Sequence, residues 1–359
     1  MTKGPTVYDV AERAGVSIAT VSFTFRRPSK VKESTRELVH AAARELGYIP
    51  SGSARGLAGG RTGALGLISL DYRPVPPLEF ASNHDPGSTD PNADFRLFPL
   101  FVDEVQRGVE QECWRRGYAV MIAGAKPSNA EAVLTDIAGR VDGLALFFSG
   151  MADDVDLRHI AERLPVVLMS QPGDDTLSRV CVDNVGGMRA LIQHLVQVHG
   201  LRDLRFVGPT FDSDRKERFD AFRATLRAAK LPVPRDPMAA AGNYREAIAD
   251  LTHRQAIPDA FVCVTDEVAL ELMDTLREAK IDVPGQVVVT GFDGIVAGRL
   301  ISPQLTTVRQ PMEAMGATVV RLLIDRIDQP DASTASETLP VQLLLRESCG
   351  CPPQQPHPA

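Results

Sequence analysis

Residues 6–25, TVYDVAERAGVSIATVSFTF, decide the fold of the first part of the chain. Apolar side chains recur at helical spacing in the first half of this stretch, and Thr6 and Asp9 stand at nearly the spacing of a capping box. Gly15 interrupts the pattern, and Ser17 is a good N-cap for a second short helix. Two short helices joined by a tight turn that contains glycine predict a helix-turn-helix.

A third helix is predicted over about residues 32–46, ended by Gly47. Its spacing turns one apolar face towards the first two helices, and this face consists of Leu38, Val39, Ala42, Ala43 and Leu46. The charge distribution supports a separate role for this region. Residues 1–61 hold ten Lys or Arg and five Asp or Glu, a net positive charge, whereas the whole chain has a net charge of −7. A basic head on an acidic body is typical of a phosphate-binding module, and chance clustering is the alternative.

After the head, residues 51–61 read SGSARGLAGGR, with four glycines in eleven residues. This stretch predicts a linker that becomes ordered only on binding. From residue 62 onward, apolar strands such as GALGLISL and VVVTGF alternate with amphipathic helices, which predicts an α/β body with two doubly wound parallel sheets. Residues 73–98 interrupt this rhythm with five prolines, and they predict a long loop at the ligand-facing end of the first strand or a plain surface insertion.

Several classes of protein are disfavoured. The chain has no dinucleotide fingerprint, Walker pattern or nucleophile elbow, so we expect neither an enzyme nor a cofactor. It has no apolar stretch long enough to cross a membrane and no signal-peptide pattern, and its five scattered cysteines favour the reducing cytoplasm. His194 and His199 are expected on different helix faces, and Cys349 and Cys351 lie in a proline-rich tail, so no metal site is predicted.

The motifs together resemble a known family. TVYDVAERAGVSIATVS and ELGYIPSGSARGLAGGRTGALGLI are similar to the head of the lactose-repressor/galactose-repressor family of bacterial transcription regulators. The body continues the resemblance with RGVEQECWRRGY, VDNVGGMRALIQHL, TDEVAL, GFDG and LTTVRQPMEAMG, so the similarity spans about residues 5–348.

This resemblance implies three parts: a helix-turn-helix DNA-binding domain at 1–50, a hinge at 51–61, and a periplasmic-binding-protein-like domain at 62–350 that binds an effector and dimerises. The first lobe is expected at about 62–166 and 299–325, and the second at about 167–298 and 326–350.

For DNA binding, the resemblance implies that residues 17–25 form the recognition helix. Phe23 stands where the family usually has arginine, a common guanine reader; it is expected to pack on a thymine methyl group, with a core role as the alternative. Leu57 matches the hinge leucine that is wedged into the minor groove, the alternative being a hinge-to-hinge contact. The full set implied is Ser17, Ile18, Ala19, Thr20, Ser22, Phe23, Arg26 and Leu57.

For the effector, the resemblance implies a cleft between the two lobes. Arg218 and Asp293 match the family's ligand-gripping arginine and aspartate, which suit sugar hydroxyls or a small anion. A surface salt bridge and a turn-capping role are the respective alternatives. The effector-binding residues implied are Ser170, Arg218, Thr265, Asp293 and Gln310.

The expected function is therefore that of a cytoplasmic, homodimeric transcription regulator, and we expect it to be a repressor. It is expected to bind a palindromic double-stranded DNA operator, and a sugar-like small molecule is expected to control this binding. An effector-independent regulator, whose cleft is filled by the 73–98 loop, is one alternative. A solute-binding module on the same core is another, and an enzyme on an α/β core is the third.

Overall fold

The computed structural model of the chain describes residues 5–26, 28–48, 61–70, 100–125, 127–148, 157–170 and 176–352. It divides into two compact units, residues 1–63 and residues 64–359. The predicted linker at 51–60 and the predicted loop at 73–98 lie outside the described residues.

The first unit is a three-helix head. Its helices are α1 (Val7–Ala14), α2 (Ile18–Arg26) and α3 (Glu33–Leu46). Asp9 Oδ2 accepts hydrogen bonds from the Thr6 backbone N–H at 2.6 Å and from the Thr6 hydroxyl at 2.7 Å, which fixes the start of α1. Arg13 on α1 forms an ion pair with Glu45 on α3 at 2.7 Å. These local bonds hold the three helices around one small core.

The core of the head consists of small and β-branched side chains: Val10, Ala11, Val21, Val39, Ala42 and Ala43. Leu38, predicted to face inward, is instead 58% exposed. The reason is geometric, because Val39, Ala42 and Ala43 already form the face of α3 that meets the other two helices, and Leu38 lies one residue before that face.

The second unit contains two sheets, whose strands are β1 (Ala64–Leu70), β2 (Ala119–Ala125), β3 (Leu144–Phe148), β4 (Val166–Met169), β5 (Ser178–Val182), β6 (Leu204–Val207), β7 (Ala260–Cys263), β8 (Val288–Asp293), β9 (Thr306–Arg309), β10 (Ser336–Leu339) and β11 (Gln342–Leu344). The first sheet has the order β10-β5-β4-β3-β1-β2, and the second has the order β11-β9-β8-β7-β6. The named strand pairs are parallel except β11–β9, which is antiparallel.

Helices cover both faces of each sheet. They are α4 (Leu100–Arg116), α5 (Ala130–Ala138), α6 (Arg158–Ala161), α7 (Asn184–Gln197), α8 (Ser213–Ala228), α9 (Tyr244–His253), α10 (Asp266–Glu278), α11 (Ala297–Leu300) and α12 (Met312–Asp328). Each sheet therefore has an apolar cluster on either side, and strands such as β4 and β7 are buried along their whole length. This arrangement is the two-lobed α/β core that the sequence predicts.

The lobe boundaries differ from those predicted. Strands β5 and β10 pair with each other in the first sheet, whereas the family resemblance predicts residues 167–298 and 326–350 in the second lobe. Strand β9 lies in the second sheet, although the resemblance predicts residues 299–325 in the first lobe. The chain crosses between the lobes after β5, after β9 and after β10, so each lobe is closed by a strand that comes from far along the sequence.

Helices α4 and α12 cross at very short distance in the first lobe. A Cβ atom built on Gly316 would lie 2.2 Å from the carbonyl oxygen of Val105, and one built on Gly108 would lie 2.0 Å from that of Glu313. Only glycine permits this approach of two backbones. The crossing fixes α12, which begins directly after the second passage between the lobes, against the first lobe.

Candidate functional site

The start of α2 is built by the turn that precedes it. Gly15 has φ +64, and this left-handed conformation lets the Val16 N–H bond back to the Ala11 carbonyl at 3.0 Å. Ser17 then caps the new helix, because its Oγ accepts a hydrogen bond from the Thr20 N–H at 3.1 Å. The side chains of the first turn of α2 are thus held in a fixed direction.

These side chains face outward. Ser17, Ile18 and Ala19 are exposed, and Thr20 and Ser22 are half-buried. Phe23 is 44% exposed, so it is not the core side chain that the alternative interpretation required. The aromatic residue of α2 that packs on the core is Phe25, whose ring lies 5.1 Å from that of His40 in an edge-to-face arrangement.

The outward face of α2 carries no acidic residue in its first turn, so it presents hydroxyl and apolar groups together with the positive end of a helix. Such a surface can approach phosphates and base edges without charge repulsion. The Arg26 side chain and Leu57, also predicted to contact DNA, lie outside the described residues.

In the second unit, the predicted effector residues lie at the carboxyl ends of strands. Ser170 follows β4, Thr265 follows β7 by two residues, Asp293 ends β8, and Gln310 follows β9. Arg218 lies on α8, the helix that follows β6. Parallel α/β sheets usually bind ligands at this edge.

Three of the five residues contact one another directly. Asp293 Oδ1 lies 2.7 Å from Gln310 Nε2 and 3.4 Å from Arg218 Nη1. All three side chains are buried, with Arg218 only 3% exposed. The alternative of a surface salt bridge for Arg218 is therefore wrong, since the residue is buried among polar partners.

Arg218 is held in place by further partners. Its Nε donates to Asn184 Oδ1 at 2.8 Å and its Nη1 donates to the Val264 carbonyl at 2.9 Å. The guanidinium also lies over the ring of Phe292, with 3.9 Å between Cζ and the ring centroid. This combination of hydrogen bonds and cation–π contact orients a buried cation at the edge of the second sheet.

The other two predicted residues have local roles as well. Thr265 Oγ1 accepts a hydrogen bond from the Val268 N–H at 3.3 Å and so caps α10. The carbonyl oxygen of Ser170 accepts a hydrogen bond at 2.9 Å from the hydroxyl of Ser213, the first residue of α8. Ser170 therefore links the edge of the first sheet to the helix that carries Arg218.

Backbone strain marks the same edge. Asp293 has φ +132 and Ser170 has φ +62, both in the region that non-glycine residues rarely adopt. Strain of this kind costs about 1–3 kcal/mol and concentrates at functional sites. The turn after Asp293 is tight, because a Cβ on Gly294 would lie 2.7 Å from the Cα of Arg309.

Two polar residues of this site were not predicted from the sequence. Asn184, besides its bond to Arg218, donates to both Asp214 and Glu217. Asp266 is fully buried, and its Oδ2 accepts from the Gly294 N–H at 2.7 Å. Asp266 lies in the TDEVAL motif, in the first turn of a helix that follows a buried strand. This position in the sequence pattern could have indicated that Asp266 belongs to the site.

Electrostatics at the site follow from burial. Burial raises the pKa of Asp266 to about 7, and the negative charge of Asp293 acts in the same direction. Burial also raises the pKa of Asp293, although Arg218 and Gln310 oppose this shift. The site thus combines one fixed cation with two buried acids, and burial opposes the ionisation of both while Arg218 favours the ionised form of Asp293.

One buried acceptor at the site has no partner among the described residues. Gln310 Oε1 is buried and makes no hydrogen bond there. An amide oxygen in this state is ready to accept a hydrogen bond from a ligand hydroxyl or amine. A separate concavity of about 470 Å³ is lined by Tyr244, Glu267 and Ala297 among others, and none of Arg218, Asp293 and Gln310 lines it.

The structure also corrects the interpretation of the histidines. His194 and His199 do not face apart; their Nε2 atoms lie 3.0 Å from each other. The reason is that α7 ends at Gln197, so that the chain turns after the helix and His199 folds back on His194. Cys349 and Cys351 contact the same pair, a cluster treated below.

Comparison with known proteins agrees with both units. The family model described as bacterial regulatory proteins, lacI family, matches residues 6–51, and the model described as a periplasmic binding protein-like domain matches residues 192–349. The two matches follow in the order in which a DNA-binding head and an effector-binding core occur in that family. The chain belongs to the LacI family of bacterial transcription regulators.

Relatives cover nearly the whole chain. The ribose operon repressor of Escherichia coli (strain K12) is 29% identical over 338 residues, covering 90% of this chain and 94% of the relative. The solved structure of the transcriptional regulator CelR in complex with cellobiose is 27% identical, with a TM-score of 0.65, and covers 96% of this chain and 99% of that one.

A third comparison concerns the fold alone. The lac repressor dimer bound to operator and the anti-inducer ONPF is 23% identical, has a TM-score of 0.76 and covers 97% of this chain and 99% of that one. Among the curated relatives of this LacI-family chain, the ribose operon repressor and the PurR proteins are transcription repressors by name and not enzymes. Among the described helices, none combines the length and the apolar character needed to cross a membrane.

Proposed function

We propose that this LacI-family regulator is a cytoplasmic homodimeric repressor that binds a palindromic operator through α2 and responds to a neutral sugar in the cleft between its lobes. The observation that carries the DNA-binding half is the capped, outward-facing first turn of α2. Ser17, Ile18, Ala19, Thr20, Ser22 and Phe23 are the residues assigned to the DNA contact, with Arg26 and Leu57 added from the family resemblance.

A dimer is supported by the exposed apolar surface of the first lobe. Trp114 is 84% exposed on α4, and Ile122 is 50% exposed on β2, the edge strand of the first sheet. Large exposed apolar side chains beside an edge strand are typical of an interaction surface. The lac repressor structure to which this fold is similar is a dimer on its operator.

The choice of a neutral sugar rests on Arg218, Asp293 and Gln310. Arg218 is already paired with Asp293 and the Val264 carbonyl, so its charge is compensated before any ligand binds. An anion would have to replace these partners. A carboxylate oxygen, a guanidinium and the Gln310 Oε1 atom, which has no partner in the described part of the chain, together suit the donors and acceptors of sugar hydroxyl groups. One relative is named as the repressor of the ribose operon, and another, CelR, is seen in complex with cellobiose.

Selection from a random DNA library tests the DNA-binding half. The full-length protein is expected to enrich an inverted repeat, and the affinity should fall steeply with salt because each head contacts several phosphates. Removing residues 1–60 should abolish DNA binding and leave ligand binding intact. Enrichment of a single asymmetric site by one protomer would contradict the dimeric reading.

A thermal-shift screen tests the effector. Monosaccharides, disaccharides, nucleobases and sugar phosphates are compared, and a neutral saccharide is expected to raise the melting temperature. At one hundred times its Kd, a ligand stabilises the folded state by about 2.7 kcal/mol. If only sugar phosphates or nucleobases stabilise, the proposed class of ligand is wrong. If no class binds, the effector-independent alternative is favoured.

A further inference from the structure

Four metal-binding side chains meet at the carboxyl end of α7. His194 Nε2 lies 3.0 Å from His199 Nε2 and 3.5 Å from Cys351 Sγ. His199 Nε2 lies 3.4 Å from Cys351 Sγ, and His194 Nε2 lies 3.9 Å from Cys349 Sγ. One ligand atom from each of the four residues falls within 4.8 Å of the others.

Two local turns produce this convergence. Helix α7 ends at Gln197, and Gly200, with φ +71, reverses the chain just after His199. At the other segment, a 3-10 turn ends at Cys349, and Gly350 has φ +88. This left-handed residue turns the chain so that the two sulfurs of the Cys-Gly-Cys sequence point to the same place.

The distances match a tetrahedral zinc site. With Zn–N of about 2.0–2.1 Å and Zn–S of about 2.3 Å, a tetrahedron separates two nitrogens by about 3.3 Å and a nitrogen from a sulfur by about 3.5 Å. The N–N distance of 3.0 Å and the N–S distances of 3.4, 3.5 and 3.9 Å lie close to these values. Small shifts of the side chains would complete the geometry.

The donor set also selects the metal. Two sulfurs with two imidazoles suit zinc, whereas Mg²⁺ and Ca²⁺ prefer oxygen ligands. Two thiolates would compensate the charge of a divalent cation, so the loaded site would be neutral, as its burial requires. Cys349 is buried, and the other three side chains are half-buried.

A neighbour outside the cluster is placed to support a thiolate. Thr306 Oγ1 lies 3.1 Å from Cys349 Sγ and 2.9 Å from the Arg346 carbonyl oxygen, so its one hydroxyl hydrogen can turn from that carbonyl to an ionised sulfur. Hydrogen bonds to the ligands from surrounding residues are the usual companions of metal sites in proteins. Thr306 begins β9, so the cluster is tied to the second sheet as well as to α7.

We propose that His194, His199, Cys349 and Cys351 form a zinc site that fastens the C-terminal segment of the chain to the second lobe. All four positions of a tetrahedron are filled by protein, so the site is structural and has no open position for a substrate. It is separate from the effector residues and adds a component that the family resemblance does not imply.

Metal analysis of the full-length protein tests the site. Protein purified without chelator, or dialysed with Zn²⁺, should retain close to one zinc per protomer. Replacement of zinc by Co²⁺ should give the strong visible bands of tetrahedral cobalt and a sulfur-to-cobalt charge-transfer band. Chelation of the wild-type protein should lower its melting temperature, because a ligand that binds only the folded state stabilises it.

Variants with matched controls complete the test. Cys351→Ser and His199→Ala should lose the bound zinc and the charge-transfer band. Cys181→Ser, on β5 of the other lobe, and His253→Ala, on the exposed side of α9, should keep both. Wild-type protein that binds no zinc, or a Cys349–Cys351 disulfide detected as the loss of two hydrogens in mass, would overturn the proposal. So would equal zinc retention in the cluster variants and the controls.

Discussion

Arg309 Nη2 lies 2.7 Å from Glu104 Oε2, and this ion pair joins the end of β9 in the second lobe to α4 in the first. Arg309 also donates from Nη1 to the Gly294 carbonyl at 2.6 Å, directly after Asp293. The bridge between the lobes and the proposed effector site therefore share one turn of backbone. A change in lobe closure and a change at Asp293 are expected to affect each other.

The Arg309–Glu104 pair should contribute measurably to stability. Glu104→Gln and Arg309→Gln, alone and together in a double-mutant cycle, are expected to give a coupling energy of about 0.5 kcal/mol or more, because both side chains are half-buried. Asp136 on α5 and Arg140 just after that helix form an exposed ion pair for comparison, and their coupling should be smaller. Denaturant unfolding measures both cycles, and equal coupling in the two pairs would contradict the prediction.

Asp293→Asn should weaken effector binding at least about tenfold, equivalent to about 1.4 kcal/mol. The amide keeps the shape of the side chain but leaves the buried Arg218 without its charged partner. Operator affinity in the absence of effector should stay near the wild-type value. Calorimetry with the saccharide found by screening measures the first effect, and operator titration measures the second.

The control for this variant is Asp274→Asn, on the exposed side of α10, where an ion pair with Arg277 lies in solvent. Effector affinity should not change there. Unchanged affinity in both Asp293→Asn and Arg218→Gln would remove these residues from the effector site.

Phe23→Arg should change which base the operator prefers. Phe23 is exposed on the proposed reading surface, and an arginine there can donate to the O6 and N7 atoms of guanine. Discrimination at one symmetric pair of operator positions should shift towards guanine by about 1–3 kcal/mol. Library selection with the variant and the wild type gives the comparison. The same motif for both proteins would show that Phe23 does not read a base.

Gly316→Ala should destabilise the core by about 1–3 kcal/mol, because the new methyl group meets the Val105 carbonyl of the crossing helix. Gly139→Ala is the control. The nearest atom to its added Cβ is 3.7 Å away and its φ is −71, so little change is expected. Thermal or denaturant unfolding measures both. A fully stable Gly316→Ala protein would show that α4 and α12 can separate without cost.

The stability of the chain should fall as the pH rises towards 7. The pKa of Asp266 is higher in the folded chain than its ordinary value of 3.8, so the folded chain binds the proton more tightly than the unfolded chain does. The free energy of unfolding therefore decreases as the pH rises from about 3.8 to about 7. For Asp266 this contribution is on the order of a few kcal/mol. Asp266→Asn should flatten the curve of unfolding free energy between pH 4 and 7. An unchanged slope would assign the pH dependence to other groups.

Motifs that act locally could be predicted from the sequence. The Thr6–Asp9 bonds, the Gly15 turn and the Ser17 cap depend only on residues within a few positions of each other. The alternation of strands and helices likewise identified the α/β body. Arg218, Asp293 and Gln310 were identified by family resemblance, and their mutual contact required the folded chain.

What could not be predicted depends on distant pairing. Some strands are short and partly polar, so their hydrophobic periodicity is weak; these are β5, β9, β10 and β11. The sheet to which each belongs is decided by its partner strand, which for β5 and β10 is more than a hundred residues away. The contact of His194 and His199 with Cys349 and Cys351 joins segments about 150 residues apart, and it needs an αL glycine that periodicity does not reveal. The prediction that Leu38 faces the core was wrong, because on α3 a shift of one residue, from Val39 to Leu38, moves a side chain from the buried face to the exposed face.

The three passages of the chain between the lobes have a consequence for synthesis. The first sheet is complete only when β10 pairs with β5, and the second only when β11 pairs with β9. A ribosome must therefore release almost the entire chain before either lobe can close, and until the helix α12 emerges the apolar strand β4 lacks the cover that this helix provides. High sequence separation of contacts slows folding and prolongs exposure to aggregation. The nascent regulator is thus expected to depend on chaperones until its last strands emerge, whereas the small head, built from local contacts, can fold as soon as it is made.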